Sequence, residues 1–333
     1  MYTDLPADQL ATYLGSQSDP AGFDDFWAQT LEEAQAHPLG LILEPVKTVL
    51  STVDVWDVTF NGYGGEPIRA WLRVPSGASG PLPGVVQFVG YGGGRGDAHE
   101  NLFWASCGFA HLEMDTRGQG AGWSTGVTPD AAGSAGPQGQ GVMTRGVTDP
   151  QTYYYRRLTT DAVRAVQALR SSDRVDPARC AAVGMSQGGG LAVAAAALSP
   201  ELAAIVAKVP FLSDIPRALQ VTDAYPFREL VDYLAIHRTR VQQVHQTLQY
   251  FDSINFAKRA KVPALFSVGL MDEITPPSTV YAAYNNYFGP KELQVWPFNG
   301  HEAGGIEDDV AAAAFLRRVL AGGSTAGSAD PAD

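Results

Sequence analysis

Three kinds of hydrophobic pattern follow one another along the chain. Near the start, Phe23, Phe26, Trp27 and Leu31 recur at helical spacing within a polar stretch, so residues 1–40 read as a helical extension. Residues 53–60 and 68–74 then alternate apolar with polar, and Asn61-Gly62-Tyr63-Gly64-Gly65 joins them. That pattern predicts an antiparallel hairpin at a sheet edge. From Gly84 onward the apolar runs become short and continuous, at 85–89, 109–114, 180–183, 204–207, 264–268 and 293–296. Such runs suit parallel strands covered on both faces. Between them, Leu158, Ala162, Ala165, Val166 and Leu169 stripe one side of a helix over 157–170, and further helices are expected at 189–198 and 278–286.

The expected fold is therefore α/β: a mostly parallel, twisted sheet with helices on both faces and the helical extension in front of it. We expect one domain over 1–322. Two stretches interrupt its rhythm. Residues 118–150 are glycine-rich and aperiodic, a long loop of the kind usually kept for function or assembly, and 128–141 is notably rich in Gly, Ala and Pro. Residues 214–256 are more polar and helical in pattern. Both are candidates to roof a site at the strand ends. Residues 323–333 have the composition of a disordered tail.

Composition narrows the partners. The 333-residue chain has a net charge of −12, which disfavours nucleic acid or an anionic membrane as a partner, since either needs a basic face. No apolar run is long enough to span a membrane, and Met1–Pro6 shows neither a basic nor an apolar leader region, so a cytoplasmic location is expected. The two cysteines, Cys107 and Cys180, sit in or beside apolar stretches and read as reduced thiols.

The chemistry centres on Gly184-Met185-Ser186-Gln187-Gly188. An apolar segment precedes it and an alanine-rich one follows, so the order is strand, sharp turn, helix, with Ser186 at the apex. G-x-S-x-G in that setting is the nucleophile elbow of the α/β-hydrolases. Small residues at 184 and 188 allow strand and helix to approach, and the turn forces the serine into a strained backbone region. A serine hydroxyl needs a base within reach, and the base needs a third group to fix its tautomer. In this fold the acid and then the histidine follow the serine, each after a later strand. His301, after the run ending at Trp296, fits the base. Asp272, after the run ending at Val268, is the favoured acid, with Glu273 and Asp214 as competitors. The backbone N–H groups of Gln187 and of Tyr91, in the loop Gly90-Tyr91-Gly92-Gly93-Gly94, are the candidate oxyanion donors. That loop lacks the features of a phosphate loop. His301-Glu302 and His99-Glu100 each lack the second histidine of a helical zinc site, so neither a metal nor a cofactor is expected.

Arg117-Gly118-Gln119, Gly184-Met185-Ser186-Gln187-Gly188 and His301-Glu302, in this order, resemble the signature of the carbohydrate esterase family 7 enzymes, the acetyl xylan esterase and cephalosporin-C deacetylase group. The likeness extends over nearly the whole chain, through Asp24-Asp25-Phe26-Trp27, Asp115-Thr116-Arg117, Tyr250-Phe251-Asp252 and Pro276-Pro277-Ser278-Thr279. It implies an α/β-hydrolase fold, a cytoplasmic homohexamer, and removal of acetyl groups from short acetylated xylo-oligosaccharides and from cephalosporin C. By resemblance Ser186 matches the nucleophile, Asp272 the acid, His301 the base, and Tyr91 with Gln187 the oxyanion donors. Trp104, Trp123, Phe211, Pro226 and Ile274 match substrate-pocket positions. Arg117 and Glu302 are expected to form a buried charge network that holds loops in place. A general short-chain carboxylesterase, a peptidase, or a non-catalytic protein on the same fold are the alternatives.

Overall fold

The computed structural model describes residues 4–131 and 139–321. The tail at 323–333, and the centre of the Gly/Ala/Pro-rich loop, lie outside the described residues.

Nine strands among the described residues form one sheet. They are β1 (Ile42–Val46), β2 (Val53–Asn61), β3 (Pro67–Pro75), β4 (Leu82–Phe88), β5 (Ala110–Met114), β6 (Val175–Met185), β7 (Ala204–Lys208), β8 (Ala264–Gly269) and β9 (Lys291–Trp296). Their order across the sheet is β1-β2-β3-β5-β4-β6-β7-β8-β9. Pairing is antiparallel from β1 through β5 and parallel from β5 across to β9. This is the mostly parallel sheet that the apolar runs predict, in the α/β-hydrolase arrangement that the elbow motif and the resemblance imply. The expected hairpin is β2–β3, in register from Val53↔Pro75 to Asn61↔Pro67. It does not lie at the edge, because β1 pairs outside it. That short strand escapes the hydrophobic pattern because it holds Pro45 and a largely exposed row of side chains, which only an edge strand tolerates.

The helices are α1 (Ala7–Leu10), α2 (Phe23–Gln35), α3 (Phe103–Ser106), α4 (Tyr154–Arg170), α5 (Gln187–Leu198), α6 (Ile215–Val221), α7 (Phe227–Ile236), α8 (Val241–Leu248), α9 (Ser253–Ala257), α10 (Pro277–Asn286) and α11 (Ile306–Ala321). Strand alternation divides the core. Val86, Ala182, Ile205 and Phe266 pack with residues of α4, α5 and α10. Val85, Val183, Val206 and Leu265 pack with Trp104 of α3 and with Ala312, Phe315 and Leu316 of α11. Helix α11, which the hydrophobic pattern does not predict, packs on this face against β6, β7 and β8.

The extension is fixed rather than loose. Trp27 stacks edge-on to Phe251 at 5.6 Å and donates from Nε1 to the Tyr250 carbonyl at 3.0 Å. Helix α4 shows the predicted apolar stripe, but its polar side is buried too. Asp161 meets Arg117, Arg157 meets Asp130, and Arg164 donates to the carbonyls of Asn61 and His37. Each buried charge thus has partners, as burial demands. Cys107 and Cys180 are free thiols, and burial pushes the Cys180 thiol up to about 12. Among the described residues no helix is long and apolar enough to cross a membrane.

Candidate active site

Strand β6 delivers Ser186 at its C-terminal end and α5 begins one residue later. Ser186 sits at φ 56°, ψ −120°, a region that L-residues avoid and that costs about 1–3 kcal/mol unless the surroundings enforce it. The enforcement is visible. Ser186 N–H donates to the Lys208 carbonyl at 2.9 Å, and its carbonyl accepts from Phe211 N at 2.9 Å and Gly190 N at 3.0 Å. A Cβ on Gly184 would run into the Gly188 backbone, and one on Gly188 into the carbonyl of Phe88. The two glycines therefore let β4, β6 and α5 meet behind the serine.

Asp272 follows β8 and His301 follows β9, and the structure brings them together. His301 Nδ1 lies 2.8 Å from Asp272 Oδ2. The carboxylate is fully buried and saturated on its other sides. Oδ1 accepts from the N–H groups of Ile274 at 2.8 Å and Thr275 at 2.9 Å, and Oδ2 accepts from Thr275 Oγ1 at 2.7 Å. A carboxylate accepting at Nδ1 favours the tautomer with its proton there, which leaves Nε2 free to accept one. His301 lines the same cavity as Ser186. The competing acids lie elsewhere: Asp214 accepts from Tyr13 and Ser16, and Glu273 is exposed. Thr275 is a partner of Asp272 that no sequence motif singled out.

The oxyanion candidates Tyr91 and Gln187 flank the elbow. Gln187 is the first residue of α5, where an N–H has no intrahelical acceptor, and Tyr91 N–H has no acceptor among the described residues. Two glutamine side chains fix both donors. Gln119 Oε1 accepts from Gly92 N at 2.7 Å, and its Nε2 donates to Gln187 Oε1 at 2.9 Å and to Tyr154 Oη at 2.9 Å. Gln187 Nε2 in turn donates to the Val89 carbonyl at 3.1 Å, and Tyr155 Oη donates to Gln187 Oε1 at 3.0 Å. The Tyr91 ring is held separately. Its hydroxyl donates to Glu229 Oε1 at 2.6 Å and accepts from Val142 N at 2.7 Å. Burial pushes the Glu229 carboxyl up, and burial with the facing Glu229 pushes the Tyr91 phenol up. Gln119 was visible in the sequence as part of Arg117-Gly118-Gln119. Glu229 lies in a polar helical stretch with no local motif, and nothing in the sequence points to it.

A cavity of about 550 Å³ opens beside Ser186. Four of the five expected pocket residues line it: Trp104, Trp123, Pro226 and Ile274. Phe211 does not. It is fully buried against Phe227 at 4.4 Å between ring centres, behind the Tyr91 ring, because the chain turns inward after β7. Both interrupting stretches reach the cavity, one through Trp123 and the other through Tyr225 and Pro226. Trp123 is 67% exposed and donates from Nε1 to the Tyr91 carbonyl at 2.8 Å. Arg117 lies in a buried network with Asp161, Glu66 and Asp130. Burial would lower its pKa, but Asp161 and Glu66 overcome burial and hold it charged. Glu302 departs from the expected buried network. It is exposed, and it accepts from Asn299 Nδ2 at 3.0 Å and Gly300 N at 3.2 Å, tightening the turn that carries His301. Among the described residues no group of three or more His, Cys, Asp or Glu is placed to hold a metal ion.

The acetyl xylan esterase (AXE1) family description matches residues 1–319. The chain belongs to this family. An acetyl xylan esterase from Paenibacillus sp. R4 superposes with a TM-score of 0.89 at 36% identity, covering 95% of this chain and 100% of that one. Acetyl xylan esterase 1 from Thermoanaerobacterium sp. JW/SL YS485 gives 0.86 at 34% identity, over 94% of this chain and 99% of that one. The acetyl esterase Axe7A of Xylanibacter ruminicola is 29% identical over 287 residues, 85% of this chain. The chain spans 64% of that relative's length.

Proposed function

We propose that this protein is a serine esterase that removes acetyl groups from short acetylated xylo-oligosaccharides and from related small acetyl esters, cephalosporin C included. The Asp272–His301 hydrogen bond, facing the same cavity as a serine held at an elbow, is the observation that carries this reading. In the first half-reaction Ser186 Oγ attacks the acetyl carbonyl while His301 Nε2 takes its proton. Asp272 holds Nδ1–H and stabilises the imidazolium. The N–H groups of Tyr91 and Gln187 receive the oxyanion, and each such donor is worth roughly 3 kcal/mol. His301 then protonates the departing alcohol, leaving acetyl-Ser186. In the second half-reaction water gives a proton to His301 and attacks the acyl carbon, acetate forms, and the proton returns to Ser186.

Ser186→Ala is expected to lower kcat on p-nitrophenyl acetate by about a thousandfold or more. Near-native turnover in that variant, with the fold intact by circular dichroism, refutes the assignment. Rapid cleavage of a short peptide without release of acetate from acetylated xylo-oligosaccharide would favour a peptidase instead. A cytoplasmic homohexamer, as the resemblance implies, is part of the same proposal, and the exposed Phe288, Phe298 and Ile306 supply apolar surface for assembly. Light scattering tests the hexamer, and a monomer at micromolar concentration refutes it.

A further inference from the structure

The cavity does not stop at the acyl site. Gln87 on β4 pairs with Glu113 on β5 and with Val183 on β6, so all three project from the same sheet face, the one covered by α3 and α11. All three line the cavity, together with Asn101, Trp104, Lys208 and Asp309. An acetyl group needs none of this space. This lobe is polar where the rest of that sheet face is apolar, and its polar groups are fixed by one another. Lys208 Nζ donates to Asp309 Oδ1 at 2.5 Å. Asn101 Nδ2 donates to Glu113 Oε1 at 2.5 Å, and the fully buried Arg73 donates to Glu113 Oε2 at 2.7 Å.

What remains unused defines the ligand. The Gln87 carboxamide is half-buried yet has no hydrogen-bond partner among the described residues. Asp309 Oδ2, Asn101 Oδ1 and the other N–H bonds of Lys208 are likewise unspent among the described residues. The lobe thus offers both donors and acceptors, and the Trp104 ring supplies an apolar surface. Glu113 is balanced by Arg73 and Asp309 by Lys208, so the lobe carries no net charge to draw in an ionic ligand. A neutral, hydroxyl-rich ring fits: its hydroxyls can both give and accept, and its C–H face can lie on the aromatic ring.

We propose that Gln87, Asn101, Lys208 and Asp309 form a subsite for the sugar ring that bears the acetyl group, and that they set the preference for carbohydrate esters over simple ones. This rests on the deacetylase reading above and deepens it. The test uses the full-length wild-type protein with Gln87→Met and Asp309→Asn, so that one variant carries the result if the other fails to fold. Each is assayed on mono-O-acetyl xylobiose and on p-nitrophenyl acetate. The ratio of kcat/KM for sugar ester to simple ester should fall about tenfold in each folded variant, chiefly through KM, as loss of a buried hydrogen bond to a hydroxyl predicts. A ratio within about twofold of wild type in both variants overturns the subsite, since losing even one such bond costs more than that. If the wild type cleaves p-nitrophenyl acetate but not the sugar ester, the deacetylase reading fails and the subsite is judged by xylobiose inhibition. Competitive inhibition of the wild type that weakens in Gln87→Met sustains a polyol site, and absence of inhibition overturns it.

Discussion

Gln119→Leu separates positioning from folding at the proposed oxyanion site. The side chain makes three hydrogen bonds, to Gly92 N at 2.7 Å and to Gln187 Oε1 and Tyr154 Oη at 2.9 Å each. Leucine keeps most of the volume and removes all three. Gly92 N–H, next to the Tyr91 donor, then lacks an acceptor, and leaving such a group unpaired costs about 1–3 kcal/mol. Deleting an oxyanion donor outright costs about 2.7–4 kcal/mol of transition-state stabilisation. Here both donors survive but lose the brace that joins them, so roughly half of that is expected in the barrier. Two kcal/mol corresponds to a fall in kcat of about thirtyfold. KM for p-nitrophenyl acetate should change little, because the brace serves an oxyanion that exists only after attack. The assay is steady-state hydrolysis beside a thermal melt. A lower Tm with kcat within about twofold of wild type would show Gln119 to be a purely structural residue and refute the reasoning.

Other consequences can be measured independently. In Gly188→Ala the new methyl meets the Phe88 carbonyl, so the elbow must shift. Turnover of p-nitrophenyl acetate should fall by about a hundredfold or more, as misplacement of a nucleophile by an ångström does, and near-native kcat contradicts the packing account. Arg117→Met strips the buried Asp161 of its partner and should destabilise the fold by about 3–5 kcal/mol in urea unfolding. A loss below about 1 kcal/mol, the level of an exposed ion pair, would mean that the network is incidental. Burial raises Glu113 from 4.5 to about 6, against the pull of Arg73. The fold therefore binds that proton more tightly than the unfolded chain does. The resulting stability, roughly 2 kcal/mol at most, is fully present below the unfolded pKa of about 4.5 and is lost as pH rises through about 6. Urea titrations of wild type and Glu113→Gln across that window should differ in slope with this sign, and parallel curves refute the assignment.

The sequence by itself determined the parallel half of the sheet, the elbow and the order of the triad candidates. Those features are local. Continuous apolar runs need no partner to be recognised, and Gly184 with Gly188 announces a backbone that only small residues permit. Asp272 and His301 were legible because the fold places them after successive strands. Tertiary structure shows where the favoured acid and its competitor lie. Asp272 directly follows an apolar run and Asp214 stands farther from one; the turn holding Ile274 and Thr275 aims the Asp272 carboxylate at His301 Nδ1, while Asp214 is spent on Tyr13 and Ser16. Packing also decided against Phe211, whose ring lies behind Tyr91, and it recruited Glu229 from a helix more than a hundred residues away. The polar lobe at Gln87 was hidden for the same reason. Its groups come from three elements and the loop before α3, and hydrogen bonds and cavities between distant segments leave no periodicity in the chain that makes them.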